Sequence, residues 1–362
     1  MKWSWKIGHI LGIRVQVHMT FLLLLGWVGL SYYAERQEVG DALAGVGFIL
    51  ILFGIVVLHE LGHAMAARRF GIRTRDITLL PIGGVARLER MPDDPREELI
   101  VALAGPAVNV LLATLIAATM LVGTGTPIPG DVSFVGGDLL RNLLWVNIVL
   151  AVFNMVPAFP MDGGRVLRAV LALRMDYVRA TQIAASVGQA LALVFVFAGL
   201  FVNPFLVFIG LFVWVGAAGE ASMVQMKSAL GGIPVSRAMI SDFRAVSPTE
   251  SLRSVANHIL DGFQQDFPVV REGRILGVLT RADLMGAAAK GGLDTPVSDA
   301  MRTEFQTAHA SEMLEPAFQR LQGCGCRTMP VTRRGELVGV LTMENVGEFL
   351  MLQAAAGKAG EA

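Results

Sequence analysis

The sequence predicts a polytopic α-helical membrane domain with about six transmembrane helices, followed by a soluble α/β module. Three observations support this fold class. Hydrophobic residues make up 54% of the 362 positions and charged residues only 17%, a composition too apolar for a soluble chain of this length. The apolar character ends near residue 225, and a sequence unit occurs twice in the more polar remainder. We therefore predict a membrane domain over residues 1–225, a soluble module over 226–355 and a flexible tail over 356–362.

Six apolar stretches approach the ~20 residues that a helix needs to cross the hydrocarbon core of a bilayer. They cover residues 17–33, 42–67, 99–122, 139–159, 183–201 and 205–221. The first stretch follows a basic start but has no small-residue cleavage site after it. We therefore interpret it as a retained span and not as a removable signal peptide.

Arginine and lysine residues predict the orientation of these spans, because cytoplasmic loops carry an excess of positive charge. Arginines are frequent in the connecting segments 68–96 and 165–179, whereas the opposite side has only Arg36 and Arg141. This asymmetry predicts a multi-pass integral membrane protein with both termini in the cytosol.

The second span contains His59-Glu60-Leu61-Gly62-His63 near its predicted cytosolic end. On a helix, positions i and i+4 share a face, so both imidazoles can bind one metal ion while Glu60 takes a proton from water at that ion. A pattern with three fixed positions also arises by chance. Inside a membrane, however, each ionisable residue costs about 2.5–3.5 kcal/mol on insertion scales, so three of them need a compensating partner. A metal ion is such a partner.

Asp162 is the candidate for a third ligand, since catalytic zinc normally takes three protein ligands and leaves a fourth position to water. It is the only acidic residue between Asp138 and Asp176, and the predicted topology places it on the same side as His59 and His63. Neighbouring prolines and glycines predict that the fourth helix breaks just before this carboxylate. The alternative is a plain helix end with Asp162 facing water.

Several motifs in this order resemble the site-2 protease family of intramembrane metalloproteases over about residues 7–221. The motifs are Gly8-His9-Ile10-Leu11-Gly12-Ile13, His59-Glu60-Leu61-Gly62-His63, Leu80-Pro81-Ile82-Gly83-Gly84-Val85-Ala86, Gly105-Pro106-Ala107-Val108-Asn109, and the segment from Asn154 to Gly164.

The resemblance implies one zinc ion per chain, with His59, His63 and Asp162 as its ligands and Glu60 as the general base. It also implies that Asn154 lies near the scissile carbonyl, although its amide can alternatively satisfy a broken helix. The implied substrate is a single-span, membrane-tethered regulatory protein, cleaved near the cytosolic side of a prokaryotic cell membrane. Asn109 is interpreted as a helix-packing residue and left outside the catalytic set.

Residues 73–88 have a strand-like composition around Pro81 and the Gly83-Gly84 pair. A helical substrate must be unwound before cleavage, because its peptide bonds are already hydrogen-bonded and shielded. We therefore expect this segment to pair with an extended substrate.

The polar part of the chain contains two copies of one unit at an offset of 62 residues. Pro234-Val235-Ser236-Arg237-Ala238-Met239 returns as Pro296-Val297-Ser298-Asp299-Ala300-Met301, and Leu276-Gly277-Val278-Leu279-Thr280 returns as Val338-Gly339-Val340-Leu341-Thr342. Each copy, over about residues 233–290 and 295–351, predicts a helix, two short strands joined by a charged glycine turn, and a closing helix.

The two copies resemble a tandem pair of CBS domains, which commonly bind adenine nucleotides between the repeats. The resemblance implies that Thr280 and Asp283 contact the ribose and phosphate of ATP, ADP or AMP. The second copy has Thr342 and Asn345 at the equivalent positions, so an amide replaces the carboxylate and we expect at most one good nucleotide site. The alternative is a scaffold or dimerisation module without a ligand, and a homodimer through the CBS domains is a further expectation.

Two other classes of function are alternatives to a protease. A transporter or channel regulated by the CBS pair would be expected to show an inverted repeat among its spans, and none is obvious. An inactive binding protein with the same fold usually loses the general base, but Glu60 is present. No nucleic-acid partner is expected.

Overall fold

The computed structural model describes residues 3–81, 83–92, 94–124, 138–262, 264–290, 292–324 and 327–359. The chain forms two compact units, Met1–Val224 and Gln225–Ala362. Each unit is described by itself below.

The first unit is built mainly from helices. They are α1 (Met19–Arg36), α2 (Val39–Arg69), α3 (Pro95–Thr124), α4 (Leu139–Asn154), α5 (Asp162–Ala172), α6 (Tyr177–Phe201) and α7 (Phe205–Leu230). Within the described residues, α2, α3, α6 and α7 are long and apolar enough to cross a membrane. Helices α1 and α4, which correspond to the predicted first and fourth spans, are shorter. Four long apolar helices are thus confirmed, while the count of six spans stays a prediction.

A four-stranded sheet accompanies these helices, in the order β1 (Ser4–Ile10), β2 (Ile13–His18), β3 (Thr74–Leu80) and β4 (Gly83–Leu88). Strands β2 and β3 are parallel, and the other neighbours are antiparallel. Strands β3 and β4 confirm the strand-like composition of residues 73–88. The hairpin of β1 and β2 was not predicted, and it delays the start of the first helix from residue 17 to Met19.

The sheet packs on the face of α2 that leads to the histidine motif. Alternate residues of β2, namely Ile13, Val15 and Val17, are buried against Phe53, Val57 and Leu61 of α2. Every second residue of a strand lies on the same face, and residues three or four positions apart share a face of a helix. The apolar face of β2 can therefore pack against the apolar face of α2. The sheet is therefore held beside His59 and His63.

Helix α4 ends at Asn154, earlier than the predicted end at residue 159. Pro157 and Pro160 follow, and each lacks the backbone donor that a continuing helix needs. The chain then turns back on itself so that α5 begins at Asp162. A Cβ added to Gly164 would lie 2.6 Å from the backbone nitrogen of Phe159, so the tight turn requires glycine there.

Arg168 ties α5 to three other helices of the first unit. Its Nε donates to Glu98 Oε1 of α3 at 2.9 Å, and its Nη1 donates to Glu220 Oε2 of α7 at 3.2 Å. The guanidinium also lies 5.1 Å from the ring centre of Tyr177 at the start of α6. Arg168 is 1% exposed and Glu98 2% exposed, so helix arrangements that separate these charges are strongly disfavoured. These contacts of Arg168 hold α5, the helix that begins with Asp162, in position.

The second unit consists of two similar halves. The first contains α8 (Leu252–Asp261), β5 (Phe267–Arg271), β6 (Arg274–Leu279) and α9 (Arg281–Ala289), and the second contains β7 (Ala308–His309), α10 (Leu314–Gly323), β8 (Thr328–Arg333), β9 (Glu336–Thr342) and α11 (Met343–Ala359). The predicted glycine turns are confirmed as hairpins between β5 and β6 and between β8 and β9. Helix α11 extends into the predicted tail, of which residues 360–362 lie outside the described part.

The opening segment of each copy packs in the core of the other copy. Val235 and Ala238 are buried with Leu314 and Val331 of the second copy. Reciprocally, Val297, which opens the second copy, is buried in the core of the first copy with Leu252 and Val269. The two copies are therefore interlocked into one module, a feature that the 62-residue offset alone did not predict.

Candidate active site

Three buried side chains converge at one point of the first unit. His59 Nε2 lies 3.1 Å from His63 Nε2, and Asp162 Oδ2 lies 3.1 Å from His59 Nε2 and 3.2 Å from His63 Nε2. The three residues are between 5% and 7% exposed. Both histidines belong to α2, where the i and i+4 positions place them on one face, and Asp162 is the first residue of α5. The structure thus brings together all three residues that the sequence predicts as metal ligands.

This set of atoms fits a zinc ion. Ligand atoms about 2.0–2.1 Å from a tetrahedral zinc lie about 3.3 Å from one another, close to the observed separations. His59 Nδ1 is hydrogen-bonded to Asn109 Oδ1 at 2.5 Å, and His63 Nδ1 to the carbonyl oxygen of Val101 at 2.7 Å. Because these oxygens accept, each Nδ1 carries its proton and each Nε2 presents a lone pair to the centre. Three ligand atoms at this spacing match the protein ligands of a zinc ion.

Helix α3 closes one side of this centre, and glycine is required at the point of closest approach. A Cβ on Gly105 would overlap His63 Nε2 and would lie 2.6 Å from His59 Nε2. The Gly105-Pro106 pair therefore allows α3 to lie directly against the two imidazoles.

Glu60 lies beside the centre and contacts the sheet. Its Oε2 accepts a hydrogen bond from the backbone N–H of Ala86 in β4 at 3.2 Å. The predicted general base is therefore held between the metal-ligand candidates and an edge strand. Asn154 is the half-buried last residue of α4. Within the described part of the chain its side chain makes no hydrogen bond, and its place near the scissile carbonyl stays a prediction.

Sequence reasoning missed two residues of this site. Asn109 was interpreted as a packing residue, but it accepts the hydrogen bond from His59. Its Nδ2 donates to Asn147 Oδ1 of α4 at 3.1 Å, and both amides are fully buried. Polar side chains inside apolar spans are rare and usually functional. The position of both amides within such spans was the signal that could have identified them.

The second unit contains a cavity of about 870 Å³ at the predicted nucleotide-binding residues. Its lining includes Thr280, three arginines (Arg281, Arg302 and Arg327) and two acidic residues, Asp266 and Glu304. Asp283 is not among the residues that line this cavity in the described part of the chain. Its two carboxylate oxygens accept hydrogen bonds from Arg302 at 2.7 and 2.9 Å. Asp283 therefore reaches the cavity through Arg302.

The ion pair shifts the pKa of the Asp283 carboxyl. Partial burial raises this pKa, but hydrogen bonds from Arg302 and Thr280 lower it by more, so that the pKa lies below its usual value. At neutral pH the pair is charged on both sides, and Arg302 is fixed at the cavity wall.

A second cavity, of about 960 Å³, lies at the equivalent residues Thr342 and Asn345 of the second copy. Its lining is more acidic and includes Asp242, Asp261, Asp266, Glu344 and Glu348 against Arg244 and Arg327. The amide of Asn345 donates to the carbonyl oxygen of Ala238 at 2.5 Å. The first cavity is thus the better environment for an anion.

Known proteins match both units. The sequence profile of Peptidase family M50 matches residues 47–138 and 135–195, and that of the CBS domain matches residues 235–290 and 297–351. A zinc metalloprotease of Methanocaldococcus jannaschii is 34% identical over 281 residues, which are 77% of this chain and 78% of the relative. Rip3 of Mycobacterium tuberculosis is 30% identical over 366 residues, which are 95% of this chain and 92% of Rip3.

Among solved structures, the site-2 protease of Methanocaldococcus jannaschii is 36% identical, with a TM-score of 0.46. The matched region is 60% of this chain and 95% of the chain of that protease. Both resemblances inferred from the motifs are confirmed by the family matches, and a transporter without protease activity is not supported. The chain belongs to Peptidase family M50, the site-2 protease family, and is an integral membrane zinc metalloprotease that carries two CBS domains.

Proposed function

We propose that His59, His63 and Asp162 hold one zinc ion and that Glu60 is the general base for hydrolysis of a membrane-tethered substrate. The observation that carries this proposal is the convergence of three buried ligand atoms, each 3.1–3.2 Å from the others, next to a carboxylate on the same helix. The proposed substrate is a single-span regulatory protein.

The chemistry follows from the positions of these groups. A zinc ion held by His59, His63 and Asp162 would polarise a peptide carbonyl and would lower the pKa of a bound water to about 7. Glu60 accepts the proton of the attacking water and delivers it to the leaving amine. The hydrogen bond from Ala86 to Oε2 orients the Glu60 carboxylate. Asn154 is the proposed donor to the developing oxyanion, and loss of such a donor typically lowers kcat by 10²–10³.

Strand β4 is the proposed docking edge for the unwound substrate. Among the described strands, which have the order β1-β2-β3-β4, it has a neighbour on one side only. An extended peptide can add to such an edge through backbone hydrogen bonds. Because Ala86 of this strand also contacts Glu60, a peptide paired with β4 would pass beside the general base.

The orientation of the chain in the membrane is also a proposal. Arg68 and Arg69 lie in the last turn of α2, one turn beyond His63. Because cytoplasmic ends carry the excess positive charge, we infer that the site is near the cytosolic side and that both termini are cytosolic, in a prokaryotic cell membrane.

The protease proposal is tested by Glu60→Gln in purified protein. Wild type is expected to contain one zinc per chain and to cleave single-span substrates in detergent, whereas Glu60→Gln keeps the zinc and loses cleavage by at least about 100-fold. Glu38→Gln, at the exposed start of the same helix, is the matched control and should cleave normally. Equal cleavage by wild type and Glu60→Gln, or zinc-free wild type, would contradict the proposal.

We further propose that an adenine nucleotide binds in the cavity at Thr280 and modulates the protease. The cavity volume, about 870 Å³, lies within the range of small-molecule sites, and its three arginines suit phosphate groups. The acidic second cavity supports at most one good site. The CBS domains are also the proposed contact of a homodimer.

The nucleotide proposal is tested by titrating AMP, ADP and ATP into the full-length protein by calorimetry. At least one of them should bind with one site per chain, and Thr280→Val should weaken that binding about tenfold. Thr249→Val, at an exposed turn, is the control and should bind as wild type does. Absence of binding at millimolar nucleotide, or an unchanged affinity in Thr280→Val, would refute this assignment.

A further inference from the structure

A chain of three hydrogen bonds runs from the backbone of α4 to the first histidine of the metal site. Asn147 Nδ2 donates to the carbonyl oxygen of Leu143 at 2.8 Å, and Asn109 Nδ2 donates to Asn147 Oδ1 at 3.1 Å. His59 Nδ1 then donates to Asn109 Oδ1 at 2.5 Å. Asn109 and Asn147 are both 0% exposed, so water does not compete for these bonds.

The direction of this chain is set at its far end. The carbonyl oxygen of Leu143 only accepts, so Asn147 must turn its amide nitrogen toward it and its oxygen toward Asn109. Asn109 must then turn its own nitrogen toward Asn147 and its oxygen toward His59. Only a His59 ring with a proton on Nδ1 can complete the chain. In the neutral ring, Nε2 is then left as a lone pair, which is the form that binds metal.

The other histidine does not need such a chain. His63 Nδ1 bonds directly to the carbonyl oxygen of Val101, an acceptor that cannot be reversed. Asn109 is different, because a rotation of its amide by half a turn would present a donor to His59 Nδ1. That donor would favour the opposite tautomer, whose proton on Nε2 points at His63 and Asp162. Asn109 alone therefore does not select the metal-binding form, and a partner must hold it.

We propose that Asn147 is a positioning residue of the zinc site, which fixes the orientation of Asn109 and thereby the tautomer of His59. The inference rests on the proposed role of His59 as a ligand. A purely structural role is the competing explanation, since buried amides also join helices in membranes. That explanation predicts a loss of stability for Asn147 variants without a specific loss of zinc affinity.

The test compares three variants of α4 in full-length, detergent-purified protein. Asn147→Leu removes both bonds of the amide. Asn147→Asp keeps an oxygen that can accept from Asn109 Nδ2, so it should rescue the orientation. Leu144→Ala is the matched control, because Leu144 is 2% exposed on the same helix and its truncation disturbs packing without touching the chain of bonds.

Zinc affinity is measured by competition with a chelator, and stability by thermal unfolding of the zinc-free protein. We expect Asn147→Leu to lose 10- to 100-fold in zinc affinity, the usual effect of removing a partner that orients a ligand. Asn147→Asp should stay within a few-fold of wild type. Leu144→Ala should unfold at a lower temperature with unchanged zinc affinity.

A second measurement reads the tautomer without metal. ¹⁵N NMR of histidine-labelled, zinc-free protein, recorded at alkaline pH where the imidazoles are neutral, should show His59 protonated at Nδ1 in wild type and a mixture of tautomers in Asn147→Leu. The inference is overturned if zinc affinity and tautomer are the same in wild type and Asn147→Leu, or if all three variants lose zinc equally. Wild type that binds no zinc but shows the Nδ1–H form would contradict the metal assignment and leave the positioning role of Asn147 supported.

Discussion

Replacing Gly105 by alanine is expected to remove zinc from the site while the protein stays folded. The new Cβ would lie 2.6 Å from His59 Nε2, whereas ordinary van der Waals contact begins at 3.4 Å. The imidazole and α3 must therefore separate by at least about 0.8 Å, since His63 Nε2 is closer still, whereas metal–ligand distances in plausible sites vary by only ~0.2 Å. We expect zinc affinity to fall by at least about 100-fold.

The effect on folding should be much smaller, because two contributions oppose each other. Alanine is favoured over glycine inside a helix by about 1 kcal/mol. Crowding of a well-packed position costs about 1–3 kcal/mol, which leaves a net destabilisation of ~0–2 kcal/mol. Zinc affinity is measured by chelator competition and folding by thermal unfolding of the zinc-free protein.

The control is Gly123→Ala in the same helix, where an added Cβ meets no atom of the described residues within 4 Å. It should bind zinc as wild type does and unfold at an equal or slightly higher temperature. Unchanged zinc affinity in Gly105→Ala would refute the view that α3 lies against the metal-binding nitrogen atoms.

Two further predictions concern ion pairs. Arg168→Met leaves the buried Glu98 without its partner and should destabilise the membrane unit by about 3–5 kcal/mol, measured as a lower unfolding temperature. Adding Glu98→Gln should restore part of the lost stability. Equal stability of Arg168→Met and wild type would be inconsistent with a buried pair. The pKa of Asp283 is lower in the folded protein than its ordinary value near 4, so its stabilising contribution is present at neutral pH and is lost as the pH falls through that lowered pKa. Arg302→Ala should remove this acid-dependent part of the unfolding profile of the CBS domains, and an unaltered profile would count against the pair.

Much of the proposed metal site could be predicted from the sequence, because the spacing of its histidines is a local feature. His59 and His63 share a helical face by spacing alone, and Asp162 was identified as the only carboxylate of its segment on the predicted side of the membrane. The structure brings these three residues together. The break before Asp162 was also predicted, although the helix ends at Asn154 and not at residue 159.

Contacts between distant segments were not predictable in the same way. The bond between His59 and Asn109 depends on how α2 and α3 face each other, and a single amide does not report that packing. The parallel pairing of β2 with β3 joins segments about 60 residues apart. The alternation of Arg14-Val15-Gln16-Val17-His18 was a local sign of strand β2, but the adjoining apolar run concealed it.

The most direct test of the central claim is X-ray absorption spectroscopy at the zinc edge of the purified protein. With His59, His63 and Asp162 as ligands, the spectrum should show only nitrogen and oxygen neighbours at about 2.0–2.1 Å, with the multiple scattering of two imidazoles. His63→Ala should lose one imidazole or the metal itself. Sulfur neighbours near 2.3 Å, or an unchanged spectrum in His63→Ala, would contradict the assignment of these residues as the zinc ligands.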